Sequence, residues 1–253
     1  ARGKFRNMKL IPLVGDFVSF DPDDLYILDI QKRKNNLVRP SVANVDQAIV
    51  VSSVKEPNLD TNLLDKMLTI ISFNRIEPII CFTKLDLLDC EEKLEINKYI
   101  DYYRSVGYTV VTNESKENFS ELLKNKITVL TGQSGAGKSS LLNFLDSSLD
   151  LKTDEISLAL NRGKHTTRHT ELYELLDGYI VDTPGFSSVD FRGMEIQDIR
   201  DNMKEMFDNL HYCKYRDCMH IKEDGCRVKE LVDSNIIIRS RYDNYKYFIE
   251  SKK

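Results

Sequence analysis

No apolar run in this sequence approaches the about 18 residues that a membrane-spanning helix needs, so a spanning segment is not expected. The first residues show no charged, apolar, small-residue signal pattern, and a cytoplasmic enzyme or factor is the resulting expectation. Cysteine is scarce and odd in number: five, without a secretory signal, argue against a disulfide scaffold. Internal repeats and low-complexity runs are absent. What remains is a chain of 253 residues, 41% hydrophobic and 30% charged, long enough for two or three globular domains.

The formal net charge of -4 looks wrong for a nucleic-acid partner until it is divided along the chain. Residues 1–40 carry 8 Lys/Arg against 5 Asp/Glu, and residues 204–253 carry 11 against 9, so the ends are basic and the centre acidic. Phosphate contacts are therefore possible at either end.

Residues 1 to about 38 read as short strands: Lys4 to Met8, Val14 to Phe20, and Leu25 to Gln31 after the turn Asp21-Pro22-Asp23-Asp24. A small barrel or meander is predicted, starting with so little lead-in that its N-terminal part is expected to be incomplete. Lys32-Arg33-Lys34-Asn35-Asn36, ending near Arg39-Pro40, reads as a polar, basic linker. Beyond it strands alternate with helices. Gln47 to Val54, Ile79 to Phe82, Thr109 to Thr112, Ile127 to Thr131, Leu172 to Leu176 and Tyr179 to Asp182 are the strands. Apolar stripes such as Leu63, Leu64, Met67, Leu68 and Ile71 mark the helices. That alternation predicts a layered α/β domain with a largely parallel sheet. After about Gly193 the pattern turns helical and polar, and Tyr242, Tyr245, Phe248 and Ile249 predict a last amphipathic helix packed back on the protein.

Within this frame, Lys126 to Asn143 reads KITVLTGQSGAGKSSLLN: a β-rich run, a glycine loop and an apolar helix. That is a P-loop. Gly132, Gly135 and Gly137 let backbone N–H groups face a phosphate, Lys138 brings a cation to the β/γ oxygens, and Ser139 brings a hydroxyl to Mg²⁺. Gln133, Ser134, Ala136 and Ser140 complete the expected phosphate cradle. Thr83-Lys84-Leu85-Asp86 follows a strand, where open α/β sheets bind ligands. The Asp86 carboxylate accepts from both N1–H and the exocyclic amine of guanine, a donor pair that adenine lacks, so guanine is the predicted base.

Asp182-Thr183-Pro184-Gly185 follows the last strand; Asp182 suits a Mg²⁺ shell through water, and the Gly185 N–H suits a γ-phosphate. Between it and the P-loop lies NRGKHTTRHT, residues 161–170, which reads as a switch. Thr167, with Thr166 as the alternative, would supply the second Mg²⁺ hydroxyl. Cys213, Cys218, His220 and Cys226 are spaced C-x4-C-x-H-x5-C, a donor set that closes a tetrahedral, structural Zn²⁺ site. Cys81 in an apolar strand and Cys90 beside acids read as packing and surface residues.

In most GTPases the guanine-reading motif comes last; here TKLD precedes the P-loop, so the domain is circularly permuted. With VGDFVSF, RKNNLVRPSVANVDQ, RGKHTTRHTEL, VDTPGFSS, the Cys/His cluster and RYDNYKY, the chain resembles the RsgA (YjeQ/YloQ) family of GTPases that depend on the small ribosomal subunit. The resemblance implies an N-terminal OB-fold at 1–38, a permuted P-loop GTPase domain at 39–193 and a helical zinc domain at 194–253. It also implies GTP hydrolysis with Mg²⁺, a structural Zn²⁺, and action in late maturation of the small (30S) subunit through its rRNA. A monomer off the membrane is expected.

Two departures qualify the resemblance. Thr83 stands where asparagine is commonest in the guanine motif, which predicts a weaker tether between base loop and P-loop, and Thr112-Asn113 stands where Ser-Ala would back the guanine. Phe186 follows Asp-Thr-Pro-Gly where many GTPases place a water-orienting glutamine. His165, or His169, is then the candidate to position the attacking water, with Lys138 and Thr167 completing the catalytic set. Two other readings stay open: a GTP-gated rRNA-binding module with incidental hydrolysis, and a kinase or ATPase, the latter disfavoured by TKLD.

Overall fold

The computed structural model describes residues 11–37, 42–147, 172–181 and 190–252. Ten strands and eight α-helices occur among them. In chain order the strands are β1 Val18–Asp21, β2 Tyr26–Ile30, β3 Asn36–Leu37, β4 Val42–Ala43, β5 Gln47–Ser53, β6 Glu77–Thr83, β7 Thr109–Thr112, β8 Ile127–Gly132, β9 Leu172–Leu175 and β10 Gly178–Val181. The helices are α1 Thr61–Phe73, α2 Cys90–Ser105, α3 Glu117–Leu123, α4 Lys138–Leu145, α5 Ile196–Asp201, α6 Lys204–Asp208, α7 Arg227–Asp233 and α8 Arg239–Ser251. None of the helices described is long and apolar enough to cross a membrane.

The central sheet has the order β7-β6-β5-β8-β10-β9. β6 runs parallel to β7, and β8 to β10, whereas β9 closes the sheet antiparallel to β10. The α/β class expected from strand–helix alternation is therefore present, as a mixed sheet whose short β9–β10 hairpin needs no helical crossover. β5 and β6 are buried almost throughout, which is why QAIVVSS and EPIICFT read as apolar runs and not as alternations.

Contacts divide the chain into two compact units, one of residues up to 48, 115–131 and 138–181, the other of 49–114, 132–137 and 190–252. In the first, β1 and β2 form a hairpin whose turn is held by the Asp21 carboxylate, which accepts from the Asp23 and Asp24 N–H groups at 2.9 and 3.1 Å. β3 pairs antiparallel with β4. The segment expected to be a linker is instead fastened on both sides. Arg33 donates from Nε and a terminal nitrogen to the two Asp16 oxygens at 2.7 and 2.8 Å, and to the Ile11 carbonyl at 2.6 Å. The Asn35 amide exchanges hydrogen bonds with both backbone groups of Val45, and Lys34 pairs with Asp46. A polar, basic run reads as linker because its partners are 10 to 22 residues away. The strand candidate Lys4 to Met8 lies outside the described residues.

In the second unit, Asp60 caps α1 by accepting from the Leu63 N–H, and Asp89 and Glu92 form a reciprocal capping box at the start of α2. Ile199, Met203, Met206, Val228, Tyr245 and Phe248 make one buried core, against which Ile70 and Phe73 of α1 pack. The apolar face foreseen for the last helix is thus its buried face, with Tyr242, Tyr245, Phe248 and Ile249 all inside.

Candidate functional site

Phe82 pairs with Thr112, so TKLD and Thr112-Asn113 emerge side by side from the C-terminal ends of parallel strands β6 and β7. Parallel strands leave their ligand-facing loops at that edge. Lys84 takes a left-handed backbone conformation (φ 63°), which turns the chain into the short 3₁₀ segment Leu85–Leu87 and leaves Asp86 exposed while Leu85 is buried. An exposed carboxylate beside a buried anchor is what presentation to a purine edge requires.

At the end of β8 the glycine loop begins. Gly132 sits at φ +142°, and a Cβ there would lie 2.1 Å from the Val51 carbonyl oxygen, so only glycine allows the loop to pass β5 this closely. Gly137, at φ +90°, passes Thr83 with its would-be Cβ 3.7 Å from the Thr83 hydroxyl. That hydroxyl donates a 2.6 Å hydrogen bond to the Ala136 carbonyl, and Thr83 is 2% exposed. Threonine, where asparagine is commonest, makes the bond between base loop and phosphate loop directly. A second fastening was not foreseen. The Lys84 ammonium donates to the Glu56 carbonyl, and neighbouring Pro57 approaches Gly135, its Cδ 3.5 Å from the position of a Cβ. Nothing in a lone Glu-Pro dipeptide marks it as a phosphate-loop buttress.

Gly137 leads into α4, where Lys138 and Ser139 occupy the first turn and Ser140 is exposed. Burial holds the Lys138 ammonium below its ordinary pKa, a cost that an adjacent phosphate would reverse. Gln133 and Ser134 lie in the loop, Gln133 half-buried and Ser134 exposed. Thr112 and Asn113 are half-buried, the Thr112 hydroxyl 3.4 Å from the Glu114 carboxylate. His165, Thr166, Thr167, His169, Asp182, Gly185 and Phe186 lie outside the described residues.

The four predicted metal ligands do converge. The donor atoms of Cys213, Cys218, His220 and Cys226 all lie within 4.8 Å of one another. Cys213 Sγ is 4.0 Å from Cys226 Sγ, and His220 Nδ1 is 3.5 and 3.3 Å from those two sulfurs. A tetrahedron of thiolates at about 2.3 Å from a metal has edges of about 3.8 Å, so the donor set fits a closed metal site. His220 Nε2 is 3.1 Å from the Met206 carbonyl, which fixes that nitrogen as the donor and leaves Nδ1 as the ligand. Around it, the Glu223 carboxylate accepts from the N–H groups of Met219, Ile221 and Lys222, bonds that hold its pKa low against the opposing effect of burial. Tyr242 and Tyr245 donate to the carbonyls of His220 and Met219 at 2.6 and 2.7 Å. Burial, reinforced by the neighbouring thiols, pushes Cys218 up to about 12, and burial with the Arg200 charge pushes His220 down to about 4. A site this protonated and this dry is suited to a cation that displaces the thiol protons. Sequence spacing located the ligands; Met206, Glu223 and the two tyrosines were beyond it.

The other two cysteines are as expected, Cys81 buried in β6 and Cys90 exposed at the start of α2.

A sequence model of the family described as RsgA GTPase matches residues 30–192. The protein named small ribosomal subunit biogenesis GTPase RsgA of Enterococcus faecalis is 48% identical over 98% of this chain and 86% of its own. Its namesake of Bacillus pumilus is 47% identical over 100% of this chain and 88% of its own. Among solved structures, that of YloQ, described as a circularly permuted GTPase, superposes with a TM-score of 0.84 at 36% identity, covering 99% of this chain and 84% of that one. YjeQ from Thermotoga maritima gives 0.83 at 35% identity, covering 99% and 87%.

Proposed function

Because this chain belongs to the RsgA family of circularly permuted GTPases and is a GTP hydrolase, we propose that it binds the small (30S) ribosomal subunit and uses GTP to time its binding and release in late maturation. The observation that carries the nucleotide part is the Thr83–Ala136 hydrogen bond, which makes base loop and phosphate loop one rigid cradle.

In this reading Asp86 selects guanine, with Thr83, Lys84, Thr112 and Asn113 shaping the base pocket. The N–H groups of residues 132–137 hold the phosphates, together with Lys138, Ser139 and Ser140. Ser139 and Thr167 would hold Mg²⁺ with Asp182 in its outer shell, and the ion would supply charge neutralisation at the β/γ oxygens. The Gly185 N–H senses the γ-phosphate, so its loss releases the following loop. His165 orients the attacking water in place of the apolar Phe186, and slow hydrolysis without a partner follows from that substitution.

The Cys₃His site holds one structural Zn²⁺, since three thiolates and one imidazole leave no open position. Three domains, at 1–38, 39–193 and 194–253, then divide the work: an OB-fold and a zinc domain dock on rRNA, and the GTPase domain between them acts as the clock. Support for rRNA docking comes from the loop ahead of the second metal ligand. His211, Tyr212, Lys214, Tyr215 and Arg216 are all exposed there, with the His211 and Tyr212 rings 3.8 Å apart and the Lys214 ammonium over Tyr215. Cations interleaved with exposed rings suit phosphate and base contact. Such a partner places the protein in the cytoplasm.

Turnover of GTP measured with and without purified small subunits tests the proposal. Strong stimulation is expected; equal rates would favour the GTP-gated binding module, and ATP turnover at the GTP rate would overturn the guanine assignment.

A further inference from the structure

Helix α2 buries side chains only in its second half. Ile100, Tyr102 and Tyr103 face the interior, whereas between Cys90 and Tyr99 no residue is buried. Two apolar side chains nonetheless stand in that first half: Leu94, which is 65% exposed, and Ile96, half-buried. They do not stand there singly. Both line an open groove of about 600 Å³, to which the loop after β5 contributes Val54 and Lys55, and the turn ahead of α2 contributes Leu88. Val54 and Leu88 are buried, so an apolar inner surface continues into the exposed Leu94.

The same groove is acidic. Among its lining residues one cation, Lys55, stands against three carboxylates, Glu91, Glu92 and Glu95. Lys55 donates to both Glu92 oxygens at 2.9 and 2.7 Å, which satisfies that pair. Its pKa is held above the ordinary value, first by the Glu92 hydrogen bond and also by the charges of Asp89 and Glu56, so two further carboxylates act on the groove. Glu95 pairs with Lys98, but both are about two-thirds exposed and water screens the contact. Glu91, Leu94 and Glu95, three and four residues apart, form one stripe of acid, leucine and acid along the helix. Such a surface repels RNA phosphates. A peptide that carries Lys or Arg beside an apolar side chain complements it, cation to carboxylate and apolar group to Leu94 and Ile96. Proteins seated on rRNA have that character, because they neutralise phosphates with Lys and Arg.

We propose that the groove between the first half of α2 and the loop after β5 docks a Lys/Arg-rich, apolar-containing segment of a small-subunit protein, and not rRNA. The proposal rests on the small subunit being the partner, as read above, and adds a protein contact to the rRNA contacts assigned there. Glu91, Leu94 and Glu95 have no part in the nucleotide site, so the groove can be altered without touching GTP binding.

The variant Leu94→p-benzoylphenylalanine, a photo-crosslinking substitution, is illuminated with purified small subunits and a non-hydrolysable GTP analogue, with binding followed by co-sedimentation and the adduct identified by digestion and mass spectrometry. Attachment to a Lys/Arg-rich stretch of a subunit protein is expected. Attachment to rRNA, to an acidic or neutral protein segment or to a second copy of this chain overturns the proposal, as does a sedimenting complex without adduct. Should the added bulk prevent a complex that the parent forms, Lys93→p-benzoylphenylalanine on the same turn takes its place. In the double variant Glu91→Lys/Glu95→Lys, affinity for the subunit should fall about tenfold or more at low salt, and the gap should narrow as salt is added. GTP affinity and turnover without subunits should stay at the parent values. Glu91→Gln/Glu95→Gln should fall between the two. Subunit affinity that the lysines leave unchanged or increase overturns the groove contact alone. A parent protein that does not sediment with small subunits overturns the partner reading as well.

Discussion

The Thr83 hydroxyl donates to the Ala136 carbonyl at 2.6 Å, joining the strand end that carries Asp86 to the middle of the phosphate loop. Thr83→Val keeps the shape and removes the donor, leaving a buried carbonyl unpaired at a cost of about 1–3 kcal/mol. Lower stability in urea and weaker GTP binding are expected, with Thr83→Ser close to the parent. Unchanged GTP affinity in the valine variant would show that this bond does not position the nucleotide.

Asp86 is exposed in the middle of the short 3₁₀ turn that buried Leu85 anchors. Asp86→Asn should weaken GTP binding and favour xanthine nucleotide, whose ring presents the complementary pattern to an amide. Competition between GTP and XTP reads the change directly; a variant that still prefers GTP would remove Asp86 from base recognition.

On the proposed roles of Lys138 at the phosphates and Ser139 at Mg²⁺, Lys138→Ala and Ser139→Ala should each abolish hydrolysis. Single-turnover assays with saturating GTP separate lost chemistry from lost binding. Parent-level turnover in either variant would place the active site elsewhere.

Metal binding at the Cys₃His site should be pH-dependent with a definite sign. Burial raises the Cys218 thiol to about 12 and raises Cys226 as well, so at pH 7 both are protonated before metal arrives and must release their protons. His220, lowered to about 4, is already neutral and releases none. Affinity should rise steeply with pH, since each of the three cysteines must release its thiol proton to become a thiolate ligand. Calorimetry in buffers of different ionisation enthalpy would count the protons, and metal analysis should find one Zn²⁺ per chain. A flat pH profile would contradict the thiolate ligand set.

His165→Ala should lower subunit-stimulated hydrolysis by about ten- to ten-thousand-fold, the span associated with loss of a general catalyst, while GTP affinity changes little. His169→Ala should do far less. Full stimulated rates in both variants would move the catalytic group to the ribosomal subunit.

Sequence alone determined what is written in short contiguous stretches. The P-loop, TKLD and the C-x4-C-x-H-x5-C spacing each need neighbours only a few residues away, because phosphate, guanine and metal are bound by atoms that a single turn can gather. Strands β5 and β6 were legible for the same reason, since burial on both faces leaves an unbroken apolar run. Tertiary structure decided the rest. Among 36 lysines and arginines nothing local separates Arg241, whose Asp65 partner is 176 residues away, from cations in water. Arg33 reads as linker because its carboxylate lies in an earlier loop, and the Ala136 carbonyl that Thr83 meets comes from a loop 53 residues later. Whether a polar side chain is a solvated surface or a buried clamp depends on what folds against it, and that is set by the packing of distant elements, not by its own neighbours in the chain.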